Sequence, residues 1–289
     1  FGVSDASLLP VPLLNVLNGG KHADSGLSFQ ECMLVPIDFS SFSDALRAAA
    51  ETFHVLRTML TEAHHVIAVG DEGGFAPRLT SNREALEILV RAIKRAGYEG
   101  RMRIAIDAAA TEFFERESSK YRIDSGSSLT SEELMHYYKG FAHDFPIVSI
   151  EDSHGEDDWE GFVLMTKELG KTVQLVGDDL LVTNVKRMER AIKENAVNAV
   201  LVKMNQIGTV SDAADAILLA QKNGWHSVVS HRSGETEDTF IAHLAVALRA
   251  GQIKTGAPCR GERTAKYNEL LRIEEALGTK AEYRNPFAT

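Results

Sequence analysis

From about residue 100 the chain repeats one rhythm: a short apolar run, a polar turn, then an amphipathic stretch. The apolar runs read RIAIDAA (103–109), IVSIEDS (147–153), VQLVGDD (173–179), AVLVKMN (199–205), SVVSHRS (227–233) and GQIKTGA (251–257). Helical patterns fall near 131–143, 156–169, 184–195, 209–223, 238–250 and 262–277. Runs this short fit buried strands, and the longer amphipathic stretches fit helices. Asp, Asn, Ser and Thr near several helix starts agree with capping. Strand alternating with helix predicts parallel pairing through right-handed crossovers, hence six βα units.

The first hundred residues break the rhythm. VPLLNVLNGG (11–20) and SFQECMLVPI (28–37) read as two strands joined by a polar loop, and helical patterns follow over 41–64 and 81–96. Two strands and six make eight. The expectation is an α/β fold in which a closed eight-stranded barrel opens irregularly. A doubly wound open sheet is the alternative, but no G-x-G-x-x-G follows a first strand. No linker divides the chain, so residues 1–289 read as one domain. KYRIDSGSSLTSEE (120–133) reads as a surface loop leading into a helix cap.

Composition narrows the partners. With 31 basic and 41 acidic residues, net −10, the chain is unsuited to nucleic acid or an anionic membrane as its main partner. A local basic pocket for a small anion is still compatible with that balance. Only Cys32 and Cys259 are present, which fits a reducing compartment and no disulfide framework. No apolar run approaches the roughly 20 residues that span a bilayer, and the start lacks a signal-peptide pattern. It also lacks an initiator Met, which predicts a processed product or a fragment.

In an α/β barrel the site is built at the C-terminal ends of the strands. Here those ends carry Asp107, then Glu151 and Asp152, Asp178 and Asp179, Lys203, His231 and Arg232, and Lys254. Carboxylates converging from three successive strands repel one another unless a cation joins them. An all-oxygen set suits a hard ion, and Mg²⁺ takes few carboxylates while leaving room for substrate. The alternative is that Asp107, Asp178 and Asp179 cap the following helices, with Asp179 the weaker metal candidate. Lys203 and Lys254 are either salt-bridged or, beside other cations, depressed enough to accept a proton. Arg232 offers a planar fork for phosphate or carboxylate, and Ser233 a hydroxyl. Asp71 and Glu72 sit among glycines in GDEGGFAP (70–77), which reads as a sharp turn beside a ligand. Gln30 and Glu31 fall on opposite faces of a strand, so at most one points straight into a shared pocket. His22, in NGGKHAD (18–24), is a loop histidine of the kind more often found at the surface.

Taken together, PVPLLNVLNGGKHAD, QE, GDEGGFAP, SIED, VGDDL, VKMNQIGT, VSHRSGETEDT and GQIKTGAPCRGER resemble the enolase family, phosphopyruvate hydratases of glycolysis, over residues 10 to about 275. The resemblance implies a modified TIM barrel of the ββαα(βα)₆ enolase type and a Mg²⁺-dependent lyase interconverting 2-phosphoglycerate and phosphoenolpyruvate. It implies Lys203 as the base, Glu72 as the acid with Glu31 in support, and Asp107, Glu151 and Asp178 as Mg²⁺ ligands. His22, Gln30, His231, Arg232, Ser233 and Lys254 become substrate contacts. Ser153 stands where the family usually has Pro, and Cys32 where it has an aromatic residue. The family's N-terminal α/β capping domain, which supplies a second-metal ligand, is missing from this chain. A cytoplasmic protein, homo-oligomeric at full length, is further implied, with plasminogen binding if it reaches the cell surface. The chain ends YRNPFAT without the terminal lysine that would favour such binding. The competing readings are a related enzyme acting on another carboxylate and a catalytically impaired barrel serving as a scaffold.

Overall fold

A computed structural model describes residues 6–22, 25–124 and 126–288, the side chain of His22 excepted. Eight strands close into a barrel: β1 (Val11–Asn18), β2 (Glu31–Pro36), β3 (Met102–Asp107), β4 (Ile147–Glu151), β5 (Gln174–Gly177), β6 (Ala199–Val202), β7 (His226–Ser230) and β8 (Gly251–Lys254). The order around the barrel follows the chain, and β8 returns to pair with β1. Every pairing is parallel except β1–β2 and β2–β3, which are antiparallel. The irregular opening expected from the sequence is thus one reversed strand. No crossover helix separates β1 from β2, so β2 must run back beside it.

Two helices then fill the gap before β3: α1 (Phe42–Glu62) and α2 (Asn82–Arg95). The outer ring continues with α3 (Ser131–Asp144), α4 (Trp159–Leu169), α5 (Val185–Glu194), a single turn α6 (Met204–Ile207), α7 (Val210–Lys222), α8 (Phe240–Ala247) and α9 (Gly261–Leu277). Six of these nine helix starts are capped by short polar side chains that accept orphan backbone N–H groups. Ser41, Ser81, Thr130, Asp158, Asn184 and Thr209 do this, Thr130 within a full capping box with Glu133. Asn184 caps α5, which frees Asp178 and Asp179 from that duty.

Two local expectations change. The strands stop sooner than the apolar runs do, so Asp178 and Lys203 stand just beyond β5 and β6. The stretch 120–133 is not a plain loop. Lys120–Ile123 and Ser127–Leu129 pair antiparallel, because Tyr121 and Ile123 alternate inward around exposed Arg122. Thr130 does open a helix there.

The barrel's two ends differ in polarity. At the N-terminal ends of the strands, Gln174 and Gln252 exchange amide hydrogen bonds of 2.9 and 2.7 Å, and Gln174 also donates to Ser149 at 3.0 Å. That end is satisfied by neutral groups, while the charges gather at the other. Among the described residues no helix is long and apolar enough to cross a membrane.

The ring is tied shut where its last helix meets its first. The Glu274 carboxylate, on α9, accepts the α1 backbone N–H groups of Phe42 at 2.6 Å and Ser43 at 3.0 Å. A carboxylate at a helix N-terminus meets both orphan donors and the positive end of the dipole. Glu274→Ala is expected to lose about 1–2 kcal/mol of stability. An unchanged urea midpoint at unchanged m-value would sink that account.

Candidate active site and metal-binding group

The reversed strand decides who meets at the mouth. Because β2 runs backwards, its first residue lies beside the last residues of its neighbours. The register pairs Asn18 with Glu31, Glu31 with Asp107, and Asp107 with Glu151. Three buried carboxylates therefore stand in a row on adjacent strands. Lys254, ending β8, reaches them: its Nζ is 2.8 Å from Asp107 Oδ2, 2.9 Å from Glu151 Oε1 and 3.2 Å from Glu31 Oε2. Burial works against that ammonium, but Asp107, Glu151 and Glu31 outweigh it and hold Lys254 well above the ordinary lysine range. Burial, with neighbouring carboxylates, pushes Glu31 and Glu151 well above the ordinary carboxyl range, Lys254 opposing.

Lys203 makes the second pair. Its backbone N–H donates to Thr183 Oγ1 at 3.0 Å, and its ammonium bonds Asp178 Oδ2. Burial pulls the amine down, yet Asp178 and Glu151 pull harder, and its pKa lies above the ordinary value. The expectation of a depressed lysine is therefore corrected for this arrangement: the nearest charges are carboxylates, and they keep the proton on.

Beside it, Asp152, Asp178 and Asp179 each bring a carboxylate oxygen within 4.8 Å of the others, a group that could hold a metal ion. Asp152 shapes this turn. In a left-handed conformation (φ 44°), it accepts the backbone N–H groups of Asp178 and Asp179, both at 2.8 Å. Burial, Asp178 and Asp179 push Asp152 well up, and burial with Asp178, opposed by Lys203, pushes Asp179 up to about 6. Two buried oxygens close by, Asp178 Oδ1 and Glu151 Oε2, have no hydrogen-bond partner among the described residues. Buried unpaired carboxylate oxygens are costly, and a hard cation is the ligand that suits them.

The facing wall comes from loops. Glu72 Oε2 accepts Asn15 Nδ2 at 3.0 Å and lies 3.4 Å from His231 Nε2. The glycines after Glu72 are required by contact: a Cβ on Gly73 (φ 85°) would stand 2.6 Å from the Cys259 carbonyl oxygen, and one on Gly74 2.6 Å from Asn18 Oδ1. His231 is buried, and burial, opposed by Glu72, holds its pKa below the ordinary value. Arg232 is exposed and donates to Asn205 Oδ1 at 3.0 Å.

One small cleft takes Gln30, Glu31, Glu72, Asp107, Lys203, His231, Arg232, Ser233 and Lys254 into its wall. Glu151 and Asp178 join it through Lys254 and Lys203. Gln30 and Glu31 both reach the cleft because Gln30 precedes the strand and escapes its alternation. His22 ends a short turn, Gly20–His22, and its side chain lies outside the described residues. Sequence reasoning missed Asn15, Asp152 as a turn-shaping group, Thr183 and Arg263. Only Asp152 carried a local signal, as the second acid of a strand-end pair.

The fold and site define an α/β-barrel protein whose mouth sets a buried lysine, Lys254, and a half-buried one, Lys203, against carboxylates, with a neighbouring aspartate group able to hold a metal ion. The family described as the enolase C-terminal TIM barrel domain matches residues 6–287, and the chain belongs to that family.

Removing Lys254 tests the charge balance at the mouth. Lys254→Met should cost about 3–5 kcal/mol near neutral pH, because three carboxylates stay buried without their cation. Glu31 and Glu151 would rise further. A folded pKa above the unfolded one means stability is lost as pH rises through that window, so the deficit should shrink in mild acid. Denaturation midpoints showing a deficit independent of pH would count against this balance.

Proposed function

We propose that the chain is the catalytic barrel of an enolase, interconverting 2-phosphoglycerate and phosphoenolpyruvate with Mg²⁺. The observation that carries this reading is that Lys203 and Glu72 line one cleft with Asp107 and Lys254, beside buried Asp178 and Glu151 oxygens that have no hydrogen-bond partner among the described residues. The reaction needs that arrangement. A proton beside a carboxylate is very weakly acidic, since its loss adds charge to an existing anion. A base and an acid must also act at adjacent carbons.

Lys203 Nζ is the base that takes the proton α to the carboxylate. Glu72, steadied by Asn15 and supported by Glu31, gives a proton to the departing hydroxyl, which leaves as water. Asp107, Glu151 and Asp178 would hold Mg²⁺, and Asp152 fixes the turn that presents Asp178. Bound Mg²⁺ supplies positive charge against the substrate carboxylate, the logic of this superfamily. Lys203, an ammonium bonded to Asp178 Oδ2 in this arrangement, must give up its own proton to solvent before the amine can take one from the substrate. Arg232 and Ser233 receive the phosphate, Lys254 lies near the carboxylate, and His22, Gln30 and His231 complete the contacts. The family's N-terminal α/β domain would close the site in the full-length protein, which on this reading is cytoplasmic and homo-oligomeric.

The test mixes the chain with 2-phosphoglycerate and Mg²⁺ and follows the ultraviolet absorbance of phosphoenolpyruvate. Turnover should require Mg²⁺ and fall about 1,000-fold or more in Lys203→Ala. Turnover that survives EDTA or that substitution defeats the assignment, and a folded chain without turnover defeats its sufficiency as an enzyme. Separately, Mg²⁺ should raise the melting temperature, an effect expected to vanish in Asp178→Asn.

A further inference from the structure

Among the described residues Arg263 is the largest fully buried side chain, and no carboxylate there hydrogen-bonds it. The nearest paired acid, Glu262, is 3.9 Å away. Its guanidinium is spent on three backbone carbonyls, Asp71 at 3.0 Å, Arg232 at 2.7 Å and Ser233 at 2.7 Å, and on His231 Nδ1 at 2.6 Å. One helical turn on, Lys266 Nζ bonds the Thr236 carbonyl. Two buried cations of α9 thus grip the loop after β7, and one of them also grips the loop that carries Glu72. A buried cation whose nearest carboxylates lie beyond hydrogen-bond reach, Glu262 at 3.9 Å from Arg263 and Glu235 at 3.8 Å from Lys266, is costly, so the geometry it enforces is where to look for its use.

A guanidinium has donors and no acceptor. At 2.6 Å from it, Nδ1 of His231 must be the unprotonated nitrogen, and the ring proton must stand on Nε2. The reverse tautomer would set two donors against each other. Nε2 is buried, lies in the wall of the cleft 3.4 Å from Glu72 Oε2, and has no made hydrogen bond among the described residues. Glu72 Oε2 already accepts from Asn15.

We propose that Arg263 is a positioning residue: by donating to Nδ1 it locks His231 as the neutral Nε2–H tautomer, so that the cleft presents one unspent N–H donor beside Glu72 to an oxygen of the ligand. The same side chain fixes the Arg232 and Ser233 carbonyls, which aims the peptide units of the phosphate loop. The kinetic consequence rests on the enolase reading; the tautomer lock does not. The charged groups facing the ring are Glu72, Arg263 and Lys254, and burial holds the imidazole neutral among them.

The experiment is ¹⁵N–¹H correlation spectroscopy of the histidine-labelled full chain, with His231 assigned by His231→Asn. The wild type should show an unprotonated Nδ1 and a protonated Nε2 at neutral pH. A protonated Nδ1 in the wild type overturns the proposal without any Arg263 variant. Arg263→Lys keeps one donor and should keep the tautomer. Arg263→Met, where circular dichroism shows it folded, should give a mixed or reversed tautomer, and an unchanged one overturns the proposal. In turnover, Arg263→Met should lower kcat up to about 100-fold with KM within about 3-fold, and Arg263→Lys should restore part of it. If the wild type does not turn over 2-phosphoglycerate, the functional reading fails while the spectra still decide the lock.

Discussion

Carboxylates buried in register on three neighbouring strands repel one another, and a cation among them offsets part of that cost. Lys254 is that cation, and much of the mouth depends on it. It arrives from β8, across the seam where the barrel closes, to touch Glu31, Asp107 and Glu151 on β2, β3 and β4. The contact therefore joins the last strand to the run of early ones. It links the barrel's closure to the charge balance at its mouth, a coupling absent at the other end, where Gln174, Gln252 and Ser149 satisfy each other without charge.

The reversed β2 gives the site its second resource. In a uniformly parallel barrel, only residues at strand C-termini reach the mouth. Here the start of a strand reaches it too, which brings Gln30 and Glu31 to the side facing Glu72 and His231. Acidic groups on that side are braced by amides and an imidazole, as Glu72 is by Asn15 and His231. Those near Lys203 are braced by backbone N–H groups, as Asp152 is. Two carboxylate environments in one cleft are a physical basis for two protonation roles.

The barrel was legible because its signal is periodic: apolar runs alternating with amphipathic stretches leave few topologies open. The polar residues at the strand ends were legible for the same reason, since topology says which ends converge. Three kinds of information were not local. Asp152 follows Glu151 by one residue, and only a left-handed backbone turns it toward the Asp178 turn. Arg263 lies 32 residues from His231 in the chain and meets it through helix placement alone. The protonation of Lys203 depends on its nearest neighbours, which strand-end inventories cannot rank: Asp178 stands closest, and together with Glu151 it outweighs burial. The pairing of Lys120–Ile123 with Ser127–Leu129 was missed because Gly, Ser and Asp residues hid the alternation of Tyr121 and Ile123.

The seam has a consequence in time. Val11 pairs with Gln252, and Leu8, just before the strand, with Glu282, so the first barrel strand has β2 close by in sequence but finds its second neighbour only near the other end of the chain. Until those late residues leave the ribosome, β1 has one exposed edge and the mouth lacks the ammonium that reconciles its acids. Assembly of this barrel is then an event of the finished chain, dominated by contacts distant in sequence and slow for that reason. In the interval, the strand edge is the surface a chaperone would need to cover.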